Sequence, residues 1–314
     1  MMLNLNGIKK AALFTHIRPD GDALGSMCGL GLALKKKGIE IDYYCDSEVP
    51  QLLSFLPDVN RVLSGTFANN YDMLISIDCA DEFRLGKYKD AFLKHPNTVN
   101  LDHHMTNTNF AKINIIKNLS SSCELVFEVI KSLNIDLDDQ IALDLYVGMV
   151  TDTGHFTQAN TTSGVHMASA ELIKYNIDIE YISQRLFKEI SKNKLMLVKD
   201  CIAGMRFFSS DRICLIGIKK EMLNQHNLDI NETEGIINYA INITNVMIGI
   251  CLTESAKNAY KVSLRSKKGV NVAEVASLFG GGGHLQAAGF MINGCFEDVI
   301  ERIVKACEKV LEPL

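Results

Sequence analysis

The stretch AALFTHIRPDGDALGS, residues 11–26, determines the fold class of the first half of the chain. Its apolar run, Ala11–His16, is typical of a buried strand, and the apolar side chains of Asp22–Lys37 recur at helical spacing. Further strands are predicted at Ile39–Cys45, Met73–Asp78 and Thr98–Asp102, with a polar helix between the last two. Four more helices are predicted at Ser122–Leu133, Asp138–Val150, Thr162–Tyr175 and Ile179–Phe187. Strands that alternate with helices predict an α/β fold with a mainly parallel sheet flanked by helices.

The pattern changes near Ser191–Lys199, a polar and helix-prone stretch. We therefore predict a first domain over residues 1–190, a linker over 191–200 and a smaller second domain over 201–314. The strands predicted for the second domain are Met205–Phe208, Arg212–Ile218, Val246–Leu252 and Tyr260–Leu264, and its predicted helices are Asn271–Leu278 and Phe296–Leu311. This order is typical of an α+β domain.

The composition excludes several classes of protein. The chain has 314 residues, 47% hydrophobic and 22% charged, with 22 Gly and 5 Pro, which excludes a disordered or collagen-like chain. The apolar run Val246–Leu252 is much too short to span a bilayer, and the N-terminal residues lack the order of a secretory signal. Nine cysteines without a C-x-x-C pair indicate reduced core thiols. We expect a soluble cytoplasmic protein with no membrane partner.

The charge is unevenly distributed. A formal net charge of −5 argues against a protein that coats long nucleic acid. Residues 1–190 hold 17 Lys+Arg against 24 Asp+Glu, a net charge of −7, whereas residues 191–314 hold 15 against 13, a net charge of +2. This division suits a site with metal ions on one side and phosphates on the other.

Acidic and histidine residues follow the predicted strands and one helix in four short segments. These segments contain His16, Asp20 and Asp22; Asp78; Asp102, His103 and His104; and Asp152. Ligands of open α/β sheets bind outside the carboxyl ends of the strands. The three segments that follow strands should therefore meet at one edge of the sheet. Asp22 also stands where a helix N-cap belongs, so capping is an alternative role for it.

Carboxylates gathered at one edge would repel one another unless cations neutralised them. Carboxylates together with imidazoles suit Mn²⁺ or a similar divalent ion. Two such ions about 3.5–4 Å apart, sharing one carboxylate, are the usual arrangement for in-line displacement at phosphorus by the water between them. We therefore predict a dinuclear site, with Mn²⁺ as the expected ion.

The same residues resemble the motifs of a known family. His16-x-x-x-Asp20-x-Asp22, Asp78, Asp102-His103-His104 and Asp152 resemble the four motifs of the DHH phosphoesterase superfamily. GGGGHLQAAGF, residues 280–290, resembles the signature of its C-terminal DHHA1 domain. Domain order and length are similar to the short nano-RNase/pAp phosphatase (NrnA-like) type.

The resemblance implies a role for each residue. His16, Asp20 and Asp78 would hold the first metal ion. Asp22, Asp78, His103 and Asp152 would hold the second, so that Asp78 bridges the two ions. His104 would face the substrate phosphate as a catalytic residue, and Asp102 would orient an imidazole.

The resemblance also implies a phosphate-binding site in the second domain. Arg265 and His284 would contact a phosphate of the substrate, and Gly282 and Gly283 would let the backbone approach it closely. Without the resemblance, a flexible loop between a helix and a strand explains the glycines at least as well. The active site would lie in the cleft between the two domains.

A phosphate-binding site with one arginine and one histidine suits only a short ligand. We expect a metal-dependent phosphohydrolase that degrades very short RNA and linear dinucleotides to mononucleotides and converts adenosine 3′,5′-bisphosphate (pAp) to AMP. Cyclic dinucleotides such as c-di-AMP are a related substrate class, long duplex nucleic acid is not an expected partner, and a homodimer is left open. The alternatives are an inorganic pyrophosphatase and a nucleotide-binding regulator without catalysis. The glycine-rich segment argues against the first and the intact ligand set against the second.

Overall fold

The computed structural model of the protein describes residues 3–68 and 70–311. The chain forms two compact units, Met1–Glu189 and Ile190–Leu314. Residues 1, 2 and 69 of the first predicted domain and residues 312–314 of the second lie outside the described residues. The first unit has a parallel sheet with helices and the second a mixed sheet with helices, which confirms the predicted fold class.

The first unit follows the predicted alternation of strands and helices. Its strands are β1 (Lys10–Phe14), β2 (Glu40–Tyr44), β3 (Val62–Leu63), β4 (Met73–Ile77), β5 (Thr98–Asp102) and β6 (Ile113–Ile116). Its α-helices are α1 (Gly21–Lys36), α2 (Lys89–Lys94), α3 (Ser122–Ser132), α4 (Asp139–Asp152), α5 (Ser163–Leu172) and α6 (Ile179–Ser183). A π-helical turn over Gln184–Lys188 follows α6.

Neighbouring strands of the first sheet run parallel in the order β3-β2-β1-β4-β5-β6. β1 and β4 lie side by side, with Ala12 opposite Leu74, although β2 and β3 separate them along the chain. The strand order therefore reverses between β1 and β4, and the loops after these two strands diverge. The carboxyl ends of strands at such a switch point are where open α/β sheets bind ligands.

Successive residues of β1 enter two different cores. Leu13 packs in a core that also contains Leu24 of α1, whereas Phe14 packs with Tyr44 and Phe92 on the other face of the sheet. Helices and loops thus cover both faces. This explains why the strands of this unit appear in the sequence as continuous apolar runs.

The second unit is an α+β arrangement around a mixed sheet. Its strands are β7 (Arg206–Phe208), β8 (Ile213–Ile218), β9 (Ile248–Ala256), β10 (Ala259–Ser266), β11 (Gly282–His284) and β12 (Ala287–Asn293). Its α-helices are α7 (Lys192–Ala203), α8 (Lys220–Gln225), α9 (Asn238–Ile241), α10 (Val272–Leu278) and α11 (Phe296–Leu311). The strand order is β11-β12-β10-β9-β8-β7, with β8 and β9 parallel and the other pairs antiparallel.

The stretch expected to link the domains, 191–200, lies almost entirely in α7. Ser191 caps this helix, and its side chain accepts a hydrogen bond from the Lys194 N–H at 3.1 Å. Leu197, Val198 and Cys201 are buried in a core of the second unit. The structure therefore assigns this stretch to the second unit and not to a separate linker.

The glycine-rich segment forms a strand, not the flexible loop that its local sequence suggests. Gly282 pairs with Gly289 and His284 with Ala287, so β11 is held to β12 through the backbone. Glycine has a low propensity for strands, which explains why residue type alone does not predict β11.

No helix in the described ranges has both the length and the apolar character needed to cross a membrane. All nine cysteines are free, eight of them buried and Cys295 exposed. The eight buried thiols lie in the core as expected from the sequence, whereas Cys295 does not.

Candidate active site

His16 and Asp78 follow the two strands of the switch point. His16 lies two residues after β1, and Asp78 directly follows β4. Asp78 has a φ of 61°, in the left-handed region that residues other than glycine rarely adopt. Its peptide N–H donates to the carbonyl of Leu101 at 2.9 Å, which holds this turn against β5. Strained backbone of this kind is concentrated in functional sites.

Asp20 and Asp22 stand at the start of α1 in different roles. Asp20 is the N-cap and accepts a hydrogen bond from the Ala23 N–H at 3.0 Å. Asp22 lies in the first turn, is only 1% exposed, and accepts the backbone N–H groups of Ser122 and Cys123 at 2.7 and 2.8 Å. The alternative that Asp22 caps the helix is therefore wrong, because Asp20 fills that position.

The Asp102-His103-His104 triplet divides between two roles. Asp102 is the last residue of β5, is fully buried, and accepts hydrogen bonds from His104 Nδ1 at 2.8 Å and Asn107 Nδ2 at 2.5 Å. His103 Nδ1 lies 3.3 Å from the carbonyl of Leu119, while its Nε2 faces the neighbouring acids. Asp102 thus contacts a histidine and is not grouped with the candidate ligands.

Asp152 is the last residue of α4, and its carboxylate lies 3.7 Å from His103 Nε2. The chain then turns back through residues 154–156, which all have positive φ. This turn brings Asn160 onto Asp152, where the Asn160 amide donates to the Asp152 carbonyl at 3.1 Å and to its carboxylate at 3.4 Å. The same amide donates to the Ser120 carbonyl at 2.9 Å.

The predicted ligands form overlapping groups whose ligand atoms lie within 4.8 Å of one another. The groups are His16 with Asp20 and Asp78; Asp22 with His103 and Asp152; and Asp78 with His103 and His104. His16 Nε2 is 3.4 Å from Asp78 Oδ2, and His103 Nε2 is 3.6 Å from Asp78 Oδ1. Asp78 therefore presents one carboxylate oxygen to each histidine.

These distances are too long for direct hydrogen bonds, and the shortest of them, between His16 Nε2 and Asp78 Oδ2, matches the spacing of two ligands of one ion. Separations of 3.4–4.0 Å between imidazole and carboxylate atoms exceed normal hydrogen-bond lengths. Two ligand atoms that each lie about 2.1 Å from one ion would be roughly 3–3.5 Å apart. His16 Nδ1 lies 2.9 Å from the carbonyl of Ile17, and a proton on that atom leaves the Nε2 lone pair directed at the acids.

Burial and mutual repulsion perturb the acids. Burial, together with the charges of Asp78 and Asp152, raises the pKa of Asp22 well above its usual range. Burial also raises the pKa of Asp152 to about 6. Burial would raise the pKa of Asp78 too, but His16, with smaller contributions from His103 and His104, lowers it below its usual range. Among the described residues, no Lys or Arg pairs with Asp22, Asp78 or Asp152, so the site suits added cations.

His104 differs from the other two histidines. Its hydrogen bond to Asp102 raises its pKa to about 9, although burial acts in the opposite direction. The atom nearest Asp78 is Nδ1, at 3.7 Å, and this atom donates its proton to Asp102. A protonated nitrogen cannot bind a metal ion, so the geometry disfavours His104 as a ligand in the third group.

One segment beside these ligands has no predicted role in the site. It is residues 119–123, in which Leu119, Ser122 and Cys123 contact His103, Asp78 and Asp22. The predicted helix that begins at Ser122 correctly places a helix N-terminus at this point of the chain. Nothing in the local sequence shows which ligands it would contact.

Arg265, His284 and the two glycines lie on neighbouring strands of the second unit. Ala287 of β12 pairs with Arg265 of β10 on one side and with His284 of β11 on the other. Directly paired residues of antiparallel strands share a face, so Arg265 and His284, both exposed, flank the small Ala287 side chain. At Gly283, with a φ of 150°, a Cβ would lie 2.4 Å from the Ala287 carbonyl, so this approach requires glycine.

Two family models match the chain. Residues 10–149 match the DHH family, N-terminal domain, and residues 215–312 match the DHHA1 domain. The first match contains His16, Asp20, Asp22, Asp78, His103 and His104, and the second contains Arg265, Gly282, Gly283 and His284.

Curated relatives match nearly the whole chain. A bifunctional oligoribonuclease and PAP phosphatase NrnA from Thermus thermophilus is 29% identical over 95% of this chain and 89% of its own length. A protein of the same name from Bacillus subtilis is 27% identical over 89% of this chain and 88% of its own length. The crystal structure of an exopolyphosphatase-related protein from Bacteroides fragilis superposes with a TM-score of 0.92 at 27% identity, covering 97% of this chain and 93% of that one.

Proposed function

The chain belongs to the DHH phosphoesterase family and carries a DHHA1 domain, and on this premise we propose that it hydrolyses short oligoribonucleotides and linear dinucleotides to mononucleotides. It is a hydrolase of phosphoester bonds of the NrnA-like type. We further propose that it converts pAp to AMP, as the names of its relatives suggest, and that c-di-AMP is a related substrate.

The observation that carries this proposal is the grouping of imidazole and carboxylate atoms around Asp78. Its two oxygens face His16 and His103 at 3.4 and 3.6 Å, so one carboxylate can serve two adjacent cation positions. Shared carboxylates of this kind are typical of two-metal centres that act on phosphate esters.

The ligand residues would divide between two ions. His16, Asp20 and Asp78 would hold one divalent ion, and Asp22, Asp78, His103 and Asp152 the other, with Mn²⁺ as our proposed ion. When bound, such ions neutralise phosphate charge and lower the pKa of a nearby water. A ligand set of several carboxylates with a few imidazoles supports Mn²⁺ as this ion.

His104 is proposed to hold a proton for the substrate. The hydrogen bond of its Nδ1 to Asp102 and its pKa of about 9 keep the ring cationic at neutral pH. Its Nε2–H can then donate to a phosphate oxygen on which negative charge increases during displacement. Asp102 fixes the orientation of the ring.

Arg265 and His284 are proposed to bind the remaining phosphate of the same substrate. Guanidinium groups bind phosphate through two parallel hydrogen bonds, and the glycines of the edge strand β11 would let a phosphate approach the backbone closely. One arginine and one histidine can bind only a short ligand. This supports dinucleotides, oligonucleotides of a few residues and nucleoside bisphosphates as substrates.

The expected cytoplasmic location of the protein stays a prediction.

A parallel assay of several substrates tests the proposal. The full-length protein with Mn²⁺ is incubated with pApA, pAp, c-di-AMP, a long single strand and pyrophosphate. We expect AMP from pApA and pAp, little product from the long strand, and no phosphate from pyrophosphate. Asp78→Asn, which keeps the shape of the side chain, should lower every activity by about 10³-fold or more, since the loss of charge stabilisation is several kcal/mol.

Other outcomes would replace the proposal. Turnover of pyrophosphate alone would identify an inorganic pyrophosphatase. Tight binding of nucleotides without turnover would identify a regulator. Turnover of the long strand at the same rate as pApA would contradict a binding site limited to short ligands.

A further inference from the structure

The first turn of α3 contacts the ligand groups from the side of the protein core. The backbone N–H groups of Ser122 and Cys123 donate to the two oxygens of Asp22 at 2.7 and 2.8 Å. The hydroxyl of Ser122 donates to Asp78 Oδ1 at 2.9 Å. One serine therefore contacts two of the candidate ligands, one through its backbone and the other through its side chain.

The contact to Asp78 acts on a torsion that is otherwise soft. Rotation of a carboxylate about its Cβ–Cγ bond has a broad energy well, so packing alone does not fix which oxygen points where. Ser122 is fully buried, and its hydroxyl occupies one side of Oδ1. That bond favours the orientation in which Oδ1 faces His103 and Oδ2 faces His16.

The three serines before α3 have separate hydrogen-bonding roles. The N–H and hydroxyl of Ser120 donate to Glu124 Oε2 at 2.8 and 2.7 Å. The hydroxyl of Ser121 accepts the Glu124 N–H at 3.1 Å as the N-cap of the helix. Within the described residues, the hydroxyl of Ser122 alone among the three contacts a candidate metal ligand.

We propose that Ser122 is a positioning residue for Asp78: its hydroxyl divides the two carboxylate oxygens between the two cation positions and so strengthens the binding of both ions. The inference rests on the proposed function only in taking the ligand groups to bind divalent cations. Hydrogen-bond partners of metal ligands commonly change metal affinity by about 10–100-fold when removed. Because Asp78 is shared, the loss should affect both ions and not one.

Ser122→Ala removes the hydroxyl and keeps the backbone N–H that binds Asp22. Mn²⁺ binding to the full-length, metal-depleted protein is measured by titration calorimetry, and folding by circular dichroism. We expect Ser122→Ala to fold as the wild type does and to bind both Mn²⁺ ions about 10–100-fold more weakly. Hydrolysis of pAp by this variant should recover when the Mn²⁺ concentration is raised in proportion.

Ser121→Ala is the matched control, one residue away in the same buried turn. It loses the cap of α3 and should lower the melting temperature by about 2–4 °C, but it should leave Mn²⁺ affinity within about threefold of wild type. Equal weakening by both variants would overturn the proposal, because helix stability would then explain the effect. Wild-type Mn²⁺ affinity in Ser122→Ala would also overturn it.

Ser122→Cys keeps the test decisive if Ser122→Ala does not fold. A thiol fills the same space but donates weakly, so we expect Mn²⁺ binding between that of wild type and the alanine variant. Wild-type affinity in this variant would contradict a role for the hydroxyl. A wild-type protein that binds Mn²⁺ but hydrolyses none of the proposed substrates would refute the proposed function and leave the role of Ser122 standing. A wild-type protein that binds no Mn²⁺ would refute the role of Ser122.

Discussion

Asp144 is a fully buried acid in α4 that takes no part in the proposed chemistry. Neither of its carboxylate oxygens has a hydrogen-bond partner among the described residues. Burial raises its pKa well above the usual range, with smaller contributions from the charges of Asp58 and Asp138. The folded protein therefore retains a proton at Asp144 over a pH range in which the unfolded chain has already released it.

This linkage predicts a stability that falls as the pH rises. Between the pKa of Asp144 in the unfolded chain, near 4, and its raised pKa in the folded protein, the free energy of unfolding falls by up to about 1.4 kcal/mol per pH unit. Asp144→Asn abolishes this proton binding, so the stability of the variant relative to wild type should increase from pH 5 to pH 8. Thermal unfolding of the metal-depleted proteins at both pH values measures the difference. Asp136→Asn, an exposed control, should follow wild type, and a parallel pH dependence in Asp144→Asn would contradict a buried protonated acid.

Arg265 presents the clearest test of substrate binding in the second unit. Its guanidinium donates only to the carbonyl of its neighbour Leu264, at 3.1 Å, within the described residues. Loss of a charge-assisted phosphate contact costs about 1.5–3 kcal/mol, so Arg265→Ala should raise KM for pAp by about 10–100-fold with a smaller change in kcat. Mn²⁺ affinity should be unchanged. Lys268→Ala, at an exposed position nearby, should retain the wild-type KM, and loss of bound metal in Arg265→Ala would contradict the assigned role.

At the scale of elements, α1 and α4 approach closely because α1 carries glycines on the face that meets α4. A Cβ at Gly25 would lie 2.3 Å from the carbonyl oxygen of Asp144, a backbone atom of α4. A Cβ at Gly29 would lie 3.1 Å from Leu145 Cδ2, the end of a flexible side chain. This close packing places Asp22 of α1 near the end of α4, where Asp152 lies.

The two glycines predict different outcomes for the same substitution. Alanine in a helix gains about 1 kcal/mol over glycine. At position 29 this gain should offset the mild crowding, so Gly29→Ala should remain within about 1 kcal/mol of wild type. Gly25→Ala must displace the α4 backbone and should lose about 1–3 kcal/mol in net stability. Thermal unfolding compares the two variants, and equal stabilities would refute the close backbone contact.

Element boundaries in the first unit follow closely from the sequence. β5 covers Thr98–Asp102 as predicted, because buried parallel strands are continuous apolar runs that end at polar residues. β6, which contains the polar Asn114, and the glycine-rich β11 lack such a pattern, and their conformation follows from pairing with neighbouring strands. β12 has no predicted counterpart although it is an apolar run that ends at Asn293. The role of α7 likewise depends on which core receives its apolar side chains.

At the scale of the whole molecule, metal binding and folding stability should be linked. The ligands bring several acids into a buried site, so ions that bind the folded state should stabilise it. At a Mn²⁺ concentration about 100 times the dissociation constant, the gain is about 2.7 kcal/mol per ion. The melting temperature should therefore rise by about 5–10 °C over that in EDTA. Asp78→Asn should lose most of this shift, and an undiminished shift would show that Mn²⁺ stabilises the protein elsewhere.

The sequence by itself determined the α/β class, the division into two units and the candidate ligands at strand and helix ends. These features are local, because an apolar run followed by Asp or His involves only residues that are close together in the sequence. Only the tertiary structure decided that Asp20 and not Asp22 caps α1, and that Ser122 contacts both Asp22 and Asp78. It also decided that Arg265 and His284 share a sheet face. Ser122 and Asp22 are 100 residues apart in the chain, and such pairs arise from packing and strand register, which no local propensity encodes.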